Sequence, residues 1–151
     1  MKQPDSLQLM VEVSETAAER AAQQLASANR ELDQARNRLG LLVRFQGEYQ
    51  SRFAQALSAG TYANLIANYR AFLAQLNRAI EEQERVVAQF DVSRGTRERD
   101  WRHRQHRVKS FELLVQRAAA ERAQAAARKE QYQTDERAIG LWQRKQKGQG
   151  L

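Results

Sequence analysis

The chain has 151 residues, enough for one ordinary domain, with 42% apolar and 28% charged residues and a formal charge of +7. It has no cysteine, which excludes disulfides and thiolate metal sites; no apolar run approaches the roughly 18 residues of a membrane span, and "MKQPDS" lacks the apolar core of a signal peptide. The expected protein is soluble and cytoplasmic, and its basic balance suits a neutral or acidic partner: nucleic acid, an anionic membrane surface or an acidic protein.

The first predicted element is a long helix with a heptad seam. Positions 7, 11, 14, 18, 21, 25, 28, 32, 35, 39, 42, 46, 49, 53 and 56 read Leu, Val, Ser, Ala, Ala, Leu, Ala, Leu, Ala, Leu, Leu, Gln, Tyr, Phe and Ala. Thirteen of these fifteen are apolar, where the composition alone gives about six. Asp5 or Ser6, next to Pro4, is the expected cap. "SAGTY" (Ser58 to Tyr62) breaks the pattern: Gly60 suits the left-handed conformation that ends a helix, and Thr61 suits the cap of the next.

The second predicted helix carries Ile66, Tyr69, Leu73, Leu76, Ile80, Gln83, Val87, Phe90, Arg94, Arg97, Trp101, Arg104, Val108, Phe111, Val115 and Ala118 on its seam. The stripe weakens between Arg94 and Arg104, where Gly95 is expected to bend or loosen the helix. Beyond Ala118 the repeat fades, although alanine keeps helical tendency high. The predicted fold is all-α: a long antiparallel two-helix coiled-coil hairpin with an extended C-terminal helix. It forms one domain over 1–151, with a first arm at 5–57, a turn at 58–61, a second arm at 62–140 and a frayed tail at 141–151. Facing residue numbers should add to about 118, and past about residue 115 the second arm has no partner left within the chain.

Little in the sequence supports chemistry. A two-helix rod offers no closed, convergent site, no glycine-rich phosphate loop occurs, and Glu81–Glu82 and Asp135–Glu136 read as solvated charge. No small-molecule substrate, cofactor or metal is expected. His103 and His106 have a spacing that can chelate a metal, but there is no third ligand and arginines surround them. "RGTRERDWRHRQHRVK" holds seven basic residues against two acidic ones and could grip phosphates. It matches no nucleic-acid motif, so a solvated face or an acidic protein partner is the preferred reading.

The rings are more informative. Six of the eleven aromatic residues lie between Phe45 and Phe72. The hairpin gathers them near its turn: Tyr49, Phe53 and Tyr69 on the seam, Phe45 and Phe72 on its flank. Two helices cannot cover every face of two flanking rings, so part of this cluster is expected to stay wet and act as a docking surface.

"LLVRFQGEYQSRF", "NYRAFLAQLNRAIEEQ", "DWRHRQHRVKSF" and "QYQTDERA" fall in the order and spacing of the flagellar export protein FliJ, a resemblance covering roughly residues 5 to 140. The resemblance implies a non-catalytic, cytoplasmic component of the bacterial flagellar type III export apparatus, peripherally associated with the inner membrane. It implies a stalk-like coiled coil that binds the hexameric export ATPase FliI, promotes its assembly, and links it to the export gate FlhA and to export chaperones. The family's gate-docking patch carries over to Leu42, Phe45, Tyr49, Phe72, Leu76 and Ala79. Gln83 stands where the family can have a histidine, and Gly95 interrupts a stretch expected to be regular. The alternatives are the equivalent stalk of a virulence type III secretion system and, in a different class, a basic coiled coil that binds nucleic acid.

Overall fold

The computed structural model describes the backbone of residues 2–60 and 62–149, and the side chains of 6–60 and 62–148. The fold is all-α: α1 spans Lys2–Ser58 and α2 spans Ala63–Gln149, and the two pack against each other. Among the described residues there is no strand. The helices contribute to two compact units, one of residues 17–104 and one of residues 1–16 with 105–151.

In the unit of residues 17–104 the core is made largely of small side chains. Ala18, Ala21, Ala28, Leu32 and Ala35 of α1 are buried, with Leu76 and Ile80 of α2. Leu32 is the most enclosed, at 2% exposure. An alanine removes little apolar area, so each layer contributes modestly, and stability accumulates over many layers. The ring and side-chain contacts set the register. Gln83 Nε2 donates to the Ala35 carbonyl at 3.0 Å and Arg97 Nη1 to Gln24 Oε1 at 3.0 Å, while Tyr49 meets both Tyr69 and Phe72. The numbers of facing residues add to between 118 and 121 across these pairs, the antiparallel register expected from the heptads.

The turn forms where the pattern breaks. Gly60 takes φ 73°, a left-handed conformation that costs other residues roughly 1–2 kcal/mol. Ala59 N–H closes the last turn of α1 on the Gln55 carbonyl at 3.1 Å. The Tyr62 carbonyl accepts from Leu65 and Ile66 at 3.0 and 3.3 Å, which makes Tyr62 the residue that flanks the first turn of α2. Thr61, the expected cap, lies outside the described residues.

In the unit of residues 1–16 and 105–151, Val11, Ser14 and Val108 are buried, with Leu7, Phe111, Val115 and Ala118 half-buried. Ser14 keeps its seam position because its hydroxyl donates to the Val11 carbonyl at 2.8 Å, within its own helix. Past Ala118 every side chain through Ile139 is exposed.

Three local expectations need correction. The start of α1 lies at Lys2, so Asp5 and Ser6 are inside the helix rather than capping it. Pro4 is tolerated there because the first amides of a helix have no intrahelical acceptor anyway. Gly95 does not interrupt α2, which stays helical on both sides of it; one glycine costs about 1 kcal/mol, too little to break a helix supported by packing. Arg97 is exposed rather than on the seam, and Glu98 is half-buried in its place. The inward positions there run 94, 98 and 101. Arg97 keeps its charge in water and reaches only the rim, at Gln24. At the chain's far end α2 runs to Gln149.

Candidate partner-binding site

The six candidate residues fall on the two helices near their turn, and the structure gives them different surroundings. Leu42 and Tyr49 are half-buried on the α1 side of the seam. Phe45 is 57% exposed, Phe72 is 44% exposed, and Ala79 is exposed. Leu76 is 8% exposed and belongs to the core. Its place in the site is as a support beneath the surface.

Tyr49 is the centre of the cluster. Its ring lies 4.3 Å from Phe72 at 38° and 5.2 Å from Tyr69 at 54°, and Tyr69 in turn lies 5.8 Å from Phe53. Tilted pairs of this kind contribute roughly 0.5–1.5 kcal/mol beyond their burial. They also fix the Phe72 ring while leaving much of its surface in water. Phe45 lies one helical turn before Tyr49, about 40° round the helix from it at about 100° per residue.

Leu41, 50% exposed, sits one turn before Phe45 and extends the apolar strip. It falls outside the heptad seam, which is why a seam-based reading omits it. An apolar residue at i−4 from an off-seam phenylalanine is the signal that finds it. Val43 and Leu65 are also exposed, at 48% and 46%.

The edges of the patch are polar and tied down. Gln46 and Asn77 share a side-chain hydrogen bond across the helices. Gln83 gives its amide N–H to the Ala35 carbonyl, so it serves the seam rather than the outer face. Beside it lies an open groove of about 230 Å³, bordered by Ala35, Arg38, Gln83, Val86 and Phe90.

The other candidates look different. Glu82 pairs with Arg85 at 3.1 Å, both well exposed. His103 and His106 are exposed, and among the described residues no group of three or more His, Cys, Asp or Glu could hold a metal ion. In the basic stretch Glu98 takes Arg94 and Arg102 at 2.9 Å each, and Asp100 takes Arg104 at 3.5 Å. The hydrogen bond from Arg94, followed by the charge of Arg102, holds the Glu98 carboxyl below the ordinary glutamate range. The bond to Glu98 likewise raises Arg94. Three of the seven basic residues of this stretch, Arg94, Arg102 and Arg104, are thus engaged along the helix itself. Among the described residues no helix is long and apolar enough to cross a membrane.

Comparison with known proteins gives a family. The family described as "Flagellar FliJ protein" matches residues 2–147. The chain is 28% identical over 136 residues to the flagellar FliJ protein of Salmonella typhi and 27% identical over 136 residues to that of Escherichia coli K12. Each alignment covers 90% of this chain and 92% of the relative. No solved structure gives a significant match. With nearly its whole length matched, the chain belongs to the flagellar FliJ protein family.

Proposed function

We propose that this protein is a non-catalytic component of the bacterial flagellar type III export apparatus. It is a cytoplasmic coiled coil, peripherally associated with the inner-membrane export machinery, that binds the hexameric export ATPase FliI and promotes its assembly and activity. It links that ATPase to the export gate FlhA and to export chaperones. The observation that carries the proposal is the aromatic patch beside the turn. Phe45 and Phe72 stay about half exposed while Tyr49, Tyr69 and the buried Leu76 hold the helices beneath them.

A wet aromatic surface on a rigid support is a protein-docking feature, because burying a phenylalanine fully contributes about 1.5–3 kcal/mol to a complex. The gate-facing set is Leu42, Phe45, Tyr49, Phe72 and Ala79, with Leu76 as its support and Leu41 as an added edge. The flagellar relatives favour this reading over a virulence-system stalk. The internal pairing of Arg94, Arg102 and Arg104 favours a protein partner over nucleic acid.

The test is a pull-down of the purified chain against the cognate export ATPase and the cytoplasmic domain of the gate. Capture of both is expected. Capture of neither, with duplex DNA bound at physiological salt instead, sinks the proposal.

A further inference from the structure

The surface that carries the aromatic patch does not end at the rings. On α1, Glu31, Arg38 and Phe45 are seven residues apart, and on α2 so are Phe72, Ala79 and Val86. Seven residues make about two turns, so each trio keeps to one side of its helix. The contacts of Tyr49 with Phe72 and of Gln83 with Ala35 fix the register within the unit of residues 17–104. That register sets Phe45 opposite Phe72, Arg38 opposite Ala79 and Glu31 opposite Val86. The two trios are the walls of one groove between the helices, about 21 Å long at 1.5 Å per residue.

The far end of the groove is the open cavity of about 230 Å³. It is bordered by the buried Ala35, the half-buried Val86 and Phe90, and the exposed Glu31 and Arg38. The small Ala35 leaves space here, and Gln83 is held on its carbonyl at 3.0 Å instead of turning outward. A closed apolar cavity of roughly 150 Å³ holds a benzene, so one leucine or phenylalanine side chain fits this space. Among the described residues neither Glu31 nor Arg38 has an ion pair.

These walls select the form of an occupant. They are helix surfaces, whose backbone groups are already paired within their own helices. An extended segment laid between them finds no backbone partners, whereas a helix brings its own hydrogen bonds. The wall charges select its side chains: a carboxylate at Arg38 and a cation at Glu31. The rings at one end and the cavity at the other each take an apolar residue.

We infer that the segment docked on the aromatic patch is an amphipathic helix of about four turns, with one apolar side chain over Phe45 and Phe72, a second in the cavity at Val86 and Phe90, and charges matched to Arg38 and Glu31. The inference rests on the reading of the patch as the gate-docking surface, and adds the form and charge pattern of what docks there.

The test is calorimetric titration of the gate's cytoplasmic domain into the full chain. Val86→Glu puts a charge at the cavity and should weaken binding by about tenfold or more. Arg38→Glu should weaken it by about threefold or more, while Arg36→Glu, the same charge change on the other flank of α1, should leave it unchanged. Circular dichroism checks that each variant stays folded, and the exposed Arg38 keeps the test valid where Val86→Glu lowers stability. Wild-type affinity in both Val86→Glu and Arg38→Glu, beside a loss in Phe45→Ala/Phe72→Ala, overturns the inference and leaves the gate reading standing. Wild-type affinity in all three, or no binding by the wild type, removes both. An equal loss in Arg36→Glu and Arg38→Glu overturns the charge pattern. A photo-cross-linking residue at position 45 and one at position 86 should label gate residues roughly 14 apart. Labels about six apart mark an extended segment, and labelling of a second copy of this chain from position 86 marks a different occupant; either overturns the inference.

Discussion

Phe72 and Leu76 are four residues apart on one helix, yet the structure separates their roles by burial. Phe72 is 44% exposed and Leu76 8%. Replacing Leu76 by alanine removes core packing and should cost about 2–4 kcal/mol, read as a lower denaturation midpoint. Replacing Phe45 by alanine should cost under about 1 kcal/mol, because so much of the ring is already in water. A Leu76→Ala chain as stable as wild type would mean that the side chain is not in the seam. Gly40 offers a complementary test. A Cβ there meets nothing within 4 Å, so Gly40→Ala should stabilise by up to about 1 kcal/mol in denaturant titration. Glu98 gives a pH signature. Its carboxyl is held below its ordinary value of 4.5. Its contribution is therefore full above that value and is lost as pH falls through the lower, folded one. Thermal melts should show wild type losing its advantage over Glu98→Gln on acidification below about pH 4.5; an advantage that grows in acid contradicts the assignment.

Among the elements, the turn depends on Gly60 in its left-handed conformation. Gly60→Ala should destabilise by roughly 1–2 kcal/mol without changing the helical content of the folded protein, checked by circular dichroism and chemical denaturation. The two helices and their register were legible in the sequence because the heptad pattern repeats often enough to outweigh single exceptions. All fifteen seam positions of α1 are buried or half-buried. The pattern failed where charges crowd it. At Arg97 and Glu98 the choice of inward residue turns on ion pairing with Arg94 and Arg102, which spacing alone does not encode. The start of α1 was misplaced because Pro4 reads as a boundary, yet it costs nothing within the first turn. In the site, the rings were legible as a cluster, but the burial of Leu76 and the exposure of Leu41 depend on how the two helices face each other. Periodicity finds the stripe; only packing decides which of its members are covered.

For the whole molecule, membership of the flagellar FliJ protein family rests on a match over residues 2–147. The proposed role is supported by a hairpin that carries its exposed rings beside the turn. The purified chain should raise the ATP turnover of its cognate hexameric ATPase while hydrolysing none alone, in a steady-state phosphate-release assay. No stimulation at any ratio of the two proteins would count against the stalk role. In the proposed role Phe45 and Phe72 are offered to the export gate rather than used to hold the hairpin together. Calorimetric titration of the gate's cytoplasmic domain with wild type and with the Phe45→Ala/Phe72→Ala chain measures this directly. Binding is expected to weaken by about tenfold or more, near 1.4 kcal/mol, with helicity unchanged. Unaltered affinity, or a hairpin that unfolds when these rings are removed, would contradict it.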